Sequence, residues 1–396
     1  MQGRLLVAVR DFDSLVGGAE RSLSSLILGL ESSDQNWNIN VYQSNDRKPN
    51  EDLFKNSSIK FKKCEIKIED IYSGASWKLR NRNTGRSMKF LRRIHLKRKN
   101  KLFSNWLRKH FSEQVKLAKA NDEKLLGITQ LDWSAGASSA FIENNIPYIV
   151  FVRDEVCFQF PKLFEDCLKK AETVIVAGEG LASQLKEKFS IKSISIVHLP
   201  VNFEEIYPYV SLKEKLEEAN KYRLENNLTN PRIAIVGMVP EKGFQFYNKE
   251  LIPKMKFIWP EATLHVFGGG PFARKLAKHS NTFDEGFCKL EEIYPFCDIH
   301  MFRLELVGTW GRVINEAGYF SKPSISIDIG SQSEAVGLGG KVMPFSASAE
   351  DWIKELKEIY ANLEYYGNLA FNHRLIVDYK NSINEFLNVI GRVKND

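Results

Sequence analysis

Several things are scarce in this 396-residue sequence, and each scarcity excludes a class of protein. There are five cysteines, Cys64, Cys157, Cys167, Cys288 and Cys297, scattered and without a Cys-x-x-Cys pair. An odd, dispersed set argues against a disulfide scaffold and fits packed free thiols in a reducing compartment. The seven histidines show no His-x-x-x-His spacing, so no metal site is expected. No run approaches the roughly 18 apolar residues that a spanning helix needs, and the chain passes directly into the strand-like Arg4–Val9. The expectation is a cytoplasmic protein with no signal peptide and no transmembrane anchor. Repeats of 20–50 residues and low-complexity tracts are missing as well, which excludes solenoids and disorder. At 43% hydrophobic and 27% charged residues, the chain reads as globular and long enough for two domains.

One absence is local. Between Asp70 and Glu113 there is no carboxylate, yet the interval carries thirteen basic residues, among them Arg92, Arg93, Lys97, Arg98 and Lys99. The formal net charge of +7 is concentrated there, and the rest of the chain is mildly acidic. Large apolar residues are interleaved: Trp77, Phe90, Leu91, Ile94, Leu96, Phe103 and Trp106. Basic and apolar side chains mixed in this way suit an anionic lipid surface, each cation contributing on the order of 1 kcal/mol near it. Residues 77–109 are therefore expected to face the inner surface of a membrane peripherally, with those five cations toward the lipid. A solvated helix face with inward-packed aromatics remains the open alternative. No RNP, zinc-finger or helix-turn-helix pattern accompanies the charge, so nucleic acid is not an expected partner.

What is present is alternation. Apolar runs at Leu5–Val9, Trp37–Tyr42, Leu125–Thr129, Pro147–Val152, Val174–Ala177 and Ile194–Val197 alternate with helical periodicity at Ala19–Leu30, 102–119, 135–144, 160–171 and Leu181–Phe189. Residues 204–230 read as a charged, helical connection. The pattern then restarts with strands at Arg232–Val236, Ala262–Phe267, Asp298–Phe302 and Ser324–Ile327, and helices at Phe244–Lys256, Leu290–Phe296, Gly311–Phe320, 350–363 and Ser382–Ile390. This predicts an α/β protein of two Rossmann-like, doubly wound domains with parallel sheets, facing across a cleft. Such sheets bind ligands beyond the carboxyl ends of their strands.

The motifs fall at those ends. Gly17-Gly18-Ala19-Glu20 joins the first strand to the first helix, where a missing Cβ lets the backbone approach a ligand and helix amides face an anion. Val236–Gly243 repeats this logic, with Lys242 placed to neutralise phosphate. Gly268-Gly269-Gly270-Pro271 is a third such turn, suited to backbone contact with a base or ribose. From Glu291 to Glu334 runs the most specific segment. In it Gly311 and Arg312 open a helix whose first-turn amides are free, and Glu316 follows as a carboxylate able to accept from vicinal hydroxyls. Asp11-Phe12-Asp13 follows the first strand and reads as a loop, not a metal-binding Asp-x-Asp.

Taken together and in this order, these segments resemble the retaining GT-B glycosyltransferases of family four over nearly the whole chain. Gly17-Gly18-Ala19-Glu20 is similar to the family's Gly-Gly-x-Glu loop, and Pro147–Asp154 to its Pro-strand-His-Asp segment. Val239–Gly243 is similar to its phosphate-binding Lys-Gly turn; the 268–271 turn and the 291–334 unit follow in family order. The resemblance implies a nucleotide-diphosphate sugar as donor, a glycan or lipid-linked acceptor, retention of anomeric configuration, no cofactor and no metal. It implies Lys242 on the diphosphate, Glu316 on the ribose, and the backbone of Gly17, Gly18, Gly311 and Arg312 on the donor. The expected domains are 1–205, with a C-terminal helix near 376–396 packing back on it, and 206–375. A role in cell-surface polysaccharide synthesis follows from the class.

The chain departs from the family's pattern three times. The first glutamate of its Glu-(seven residues)-Glu pair falls on Gly308, and Glu305, three residues earlier, stands in if the loop folds back. Its phosphate-binding arginine falls on Met238. Its histidine falls on Arg153, which is then expected to supply phosphate or sugar contacts. Arg153 and Glu305 are the catalytic candidates. A catalytically silent GT-B protein that binds a glycan or a partner remains the alternative.

Overall fold

The computed structural model describes residues 3–12, 18–33, 35–44, 54–64, 86–228, 230–307 and 310–395. The chain divides into two compact units, residues 1–200 with 382–396, and residues 201–381.

The first unit is built on a seven-stranded sheet of β1 (Gly3–Val9), β2 (Trp37–Gln43), β3 (Lys60–Lys63), β4 (Lys124–Gln130), β5 (Tyr148–Phe151), β6 (Thr173–Val176) and β7 (Ile194–Ile196). The order is 3-2-1-4-5-6-7 and every pairing is parallel. Buried on both faces, β1 reads as an almost unbroken apolar run, as a central parallel strand should. Its one charge, Arg4, donates to Glu123 (2.6 Å) and Gln114 (2.7 Å). Helix α1 (Gly18–Glu31) presents Leu23, Leu26, Ile27 and Leu30 at helical spacing, all fully buried. Each contributes about 1.5–3 kcal/mol.

Helix α2 (Arg86–Ala120) begins sixteen residues before the periodicity of 102–119 suggested. Basic side chains mask the apolar stripe there, but tertiary packing secures the turn. Asn100 is the pivot: it accepts from the Gly136 N–H (2.6 Å) and donates to the carbonyls of Leu96 and Asp132 (2.9 Å each). Gly136 opens helix α3 (Ser134–Glu143), and a Cβ there would stand 2.4 Å from the Asn100 carbonyl oxygen.

The second unit holds six parallel strands, β8 (Arg232–Val236), β9 (Thr263–Phe267), β10 (Thr282–Gly286), β11 (Ile299–Met301), β12 (Ser324–Ile327) and β13 (Gly340–Met343), in the order 10-9-8-11-12-13. Helix α4 (Arg312–Tyr319) follows β11, and α5 (Ala349–Ala361) buries Trp352, Ile353, Leu356 and Ile359 in the core. Next come α6 (Leu363–His373) and α7 (Tyr379–Asn395). From residue 382 onward α7 belongs to the first unit, where Ile383 lies against Gly29 and Phe386 against Phe151.

The sequence reading missed β3, β10 and β13, all of them edge strands. Lys60-Phe61-Lys62-Lys63 is mostly exposed, and Thr282–Gly286 and Gly340–Met343 are partly so. Half-solvated edges, lysine-rich in β3, deter further strand pairing and leave no apolar run to read.

Candidate functional site

In both units the order of strands reverses at one point, between β1 and β4 in the first and between β8 and β11 in the second. A crevice opens at the carboxyl ends of such strands. The second unit's rim carries most of the expected donor residues. Lys242 lies in the turn after β8 and donates to the Val236 carbonyl (2.9 Å), its ammonium over the Phe302 ring (5.6 Å). Burial pushes its pKa down to about 8, and the Glu316 carboxylate opposes that fall. The two side chains therefore feel one another across one rim.

Glu316 is buried in α4 and accepts from Arg312 Nε at 2.6 Å, one helical turn away. The start of α4 is fixed from both sides. Gly311 caps it in the left-handed region (φ 86°), and a Cβ there would meet the Phe302 ring at 2.8 Å. Trp310 Nε1 donates to Asn315 Oδ1 (2.7 Å), and Asn315 donates to the Ala335 carbonyl (3.1 Å). Gly269 and Gly270 follow β9 with positive φ, and a Cβ added at Gly270 would meet no atom of the described residues within 4 Å. Gly268 is the packing member of that trio, its Cβ position only 3.2 Å from Gly237 Cα.

Glu305 also reaches this rim. Its N–H donates to the Glu241 carbonyl (2.8 Å), tying the loop after β11 to the Lys242 turn. Its carboxylate accepts from Arg303 Nε (2.9 Å). Arg303 was not singled out from the sequence, nor was Gln332. Arg303 is buried, stacks on Phe246 (4.1 Å), and covers Gly243, where a Cβ would stand 2.7 Å from its Cδ. Gln332 is fully buried, donates to the Leu304 carbonyl (2.7 Å) and accepts from Ser326 (2.9 Å), fastening the same loop to β12. Both lie inside the 291–334 segment, but no role was assigned to either there; their burial marks them. Beneath the rim, His300 is held neutral, its pKa pushed down to about 3 by burial and then by Lys242. Met238 is buried in the core of this unit and presents no cation.

Gly18 and Arg153 lie on the other unit's rim. Gly18 opens α1, and an added Cβ there would meet no atom of the described residues within 4 Å. Arg153 follows β5 and stacks on Phe151 (4.8 Å). Gly17, Asp13 and Gly308 fall outside the described residues. Among the described residues no group of three His, Cys, Asp or Glu side chains could hold a metal ion, and no described helix is long and apolar enough to cross a membrane.

No family model matches the chain, and no curated protein matches it by sequence. Its architecture does match solved structures. A glycosyltransferase from Rickettsia africae ESF-5 superposes with a TM-score of 0.69 at 14% identity, over 100% of this chain and 99% of that one. Anabaena HepE in complex with UDP and glucose gives 0.65 at 13%, over 100% of both chains. Sucrose-phosphate synthase from Thermosynechococcus elongatus gives 0.69 at 12%, again over 100% of both. The chain has the GT-B fold.

On this GT-B frame Lys242, Gly269, Gly270, Glu305, Gly311, Arg312 and Glu316 share the second unit's rim, while Gly18 and Arg153 stand on the first's. Two of the cations expected to face lipid lie elsewhere. Lys99 is 2% exposed, its ammonium over Trp133 (5.2 Å), because it shares with Asn100 the side of α2 that packs on α3. Arg92 is half-buried, donating to Gln159 (2.7 Å) and lying over Phe160 (5.2 Å). Arg93, Lys97 and Arg98 are exposed, as is Lys101.

Proposed function

We propose that this protein transfers a sugar from a nucleotide-diphosphate donor to a glycan or lipid-linked acceptor, with retention of anomeric configuration and without a metal. The observation that carries the reading is the pairing of one ammonium and one buried carboxylate on a single switch-point rim, Lys242 and Glu316. Lys242 takes the diphosphate as a point charge, joined by the amides at the start of α4. Glu316 accepts from the ribose hydroxyls. Gly269 and Gly270 let the backbone come close to the base or ribose, and Gly18 exposes backbone on the first unit. Anabaena HepE was solved with UDP, with UDP-glucose, and with UDP and glucose, which supports a nucleotide sugar as the donor.

The acceptor hydroxyl attacks the anomeric carbon on the face that the phosphate leaves. The anomeric carbon–phosphate oxygen bond breaks, the bond to the acceptor oxygen forms, and the hydroxyl proton passes to the departing phosphate oxygen. Positioning and leaving-group stabilisation then suffice, with Lys242 neutralising the charge that develops. Glu305, held by Arg303, is the carboxylate offered to the donor sugar. A lipopolysaccharide outer core galactosyltransferase with the same architecture (TM-score 0.65, 16% identity) supports a role in cell-surface polysaccharide synthesis. The exposed side of α2, with Phe90 62%, Leu91 55% and Ile94 48% exposed beside Arg93, Lys97, Arg98 and Lys101, docks on anionic lipid.

Calorimetry of the full chain against UDP, GDP and ADP tests the donor reading. One nucleotide binds, and Lys242→Ala and Glu316→Ala each weaken it about ten- to hundredfold, the range for losing a charge-assisted hydrogen bond. Met238 favours a second reading, a silent GT-B scaffold, since its burial leaves the rim one cation short of the family pattern. Absence of binding across the panel would select that second reading.

A further inference from the structure

Three side chains on the first unit's rim hold polar atoms that no group among the described residues satisfies. Gln130 ends β4, is 1% exposed, and has neither its amide nitrogen nor its amide oxygen hydrogen-bonded. Arg153 is 9% exposed, and none of its three guanidinium nitrogens has a hydrogen-bond partner among the described residues. Asp11, 4% exposed, accepts from Arg10 Nε on one oxygen (3.0 Å), and its Oδ1 is unbonded. These residues belong to one cluster. Arg10 joins Asp11 to Glu20 of α1 (3.2 Å), and the Glu20 charge is felt at Arg153. Gln130 pairs with Phe151, the ring on which Arg153 stacks.

A buried guanidinium with five idle N–H groups is costly, and stacking on Phe151 uses none of them. Burial pushes the Arg153 pKa down to about 10, against the pull of Glu20. The cation remains protonated at neutral pH, and an oxyanion would satisfy its fork with two parallel hydrogen bonds. The idle atoms of Gln130 and Asp11 suit hydroxyls, since an amide both donates and accepts and a carboxylate oxygen accepts. The cluster is thus furnished for a sugar that carries a negative charge.

We infer that Arg153, with Gln130 and Asp11, is the specificity element for an acceptor sugar bearing an oxyanion, a phosphate or a carboxylate. This rests on the transferase reading for the word acceptor, and it goes further by naming the acceptor's charge. Arg153 grips the oxyanion bidentately; Gln130 and Asp11 grip hydroxyls of the same sugar.

The test uses the full chain and four probes: glucose, glucose 6-phosphate, glucuronate and inorganic phosphate. Wild-type protein is expected to bind glucose 6-phosphate or glucuronate at least tenfold more tightly than glucose. Arg153→Gln should erase that preference, Arg153→Lys should restore part of it, and Lys242→Ala should leave it intact while losing the nucleotide. Arg153→Gln should melt at or above the wild-type temperature, because it removes an unpaired buried charge. A preference that survives Arg153→Gln overturns the inference, as does the lack of any preference in the wild type. A variant that melts several degrees lower marks Arg153 as structural and overturns it too. If Arg153→Gln loses UDP as Lys242→Ala does, the oxyanion is the donor's pyrophosphate and the acceptor assignment fails while the donor reading stands. If no nucleotide binds but the charged sugars do, the transferase reading fails and the oxyanion site stands.

Discussion

The two rims solve one problem in opposite ways. In the second unit every site charge already has a partner: Lys242 on a carbonyl and in the field of Glu316, Glu316 on Arg312, Glu305 on Arg303. In the first unit the polar atoms of Arg153 and Gln130 have none among the described residues. A rim with its charges paired is preorganised and inexpensive to keep folded. A rim with idle buried polar groups is held at a cost in stability and gains most when a ligand arrives. The difference teaches that binding strain here is stored on one side of the molecule.

The largest expected effect tests the paired rim. Gly243→Val puts a β-branched residue at φ 73° and drives its Cβ to within 2.7 Å of Arg303 Cδ. Left-handed strain and overpacking together should cost about 3 kcal/mol and disorder the Lys242 turn. Thermal unfolding and nucleotide titration read both. A variant as stable as wild type would mean that Arg303 yields easily and that the rim is less fixed than described.

Next comes the unpaired rim. Burial raises the Asp154 pKa from 3.8 to about 7, despite the hydrogen bond from the Val156 N–H (3.0 Å). Because the folded form holds its proton more tightly, the stability this group contributes is complete below about pH 4 and lost as pH climbs to 7. Asp154→Asn should therefore match wild type in acid and exceed it above pH 7, by on the order of 2 kcal/mol. Denaturant melts at pH 4, 6 and 8 decide the matter; equal curves at all three would show that water already solvates the carboxylate.

A smaller signal belongs to Lys242. With its pKa near 8, it is only half protonated at pH 8. An arriving diphosphate raises that value, so binding at pH 8 should take up about half a proton, and almost none at pH 6. Nucleotide affinity should also decline as pH passes 8. Calorimetry in buffers of different ionisation enthalpy measures the uptake, and Lys242→Arg should abolish it.

These contrasts also explain what the sequence disclosed. Central strands such as β1 and β4 announce themselves as apolar runs, and the glycine turns and Glu316 stand at readable offsets from them. Edge strands bury too little to leave a pattern. Arg303, Gln332 and Asn100 act through contacts 28 to 60 residues distant in the chain, which no local spacing records. Arg153 was legible as a substitution in a motif, but its idle nitrogens were not, since partnerlessness is a property of the packed state. Lys99 was misread because charge alone does not tell which side of a helix faces inward.

Helix α2 carries the same contrast in one element, and the smallest effect on stability is expected there. Its inner side is committed: Lys99 lies over Trp133, Asn100 binds Asp132 and Gly136 of α3, and Leu96, Phe103 and Leu107 are buried. Its outer side, Arg93, Lys97, Arg98 and Lys101, is exposed. Changing those four to glutamine should shift stability by no more than about 0.5 kcal/mol, as exposed substitutions usually do. Flotation with vesicles containing anionic lipid should nevertheless fall sharply, since each cation adds on the order of 1 kcal/mol at such a surface. Phe90→Ser with Ile94→Ser should weaken flotation at unchanged salt dependence, because it removes insertion and leaves the charge. If flotation persists after the four cations are neutralised, the exposed side of α2 is only a solvated helix face. Lys99→Gln is the control: it perturbs the packed side, so it should lower the melting temperature without altering flotation.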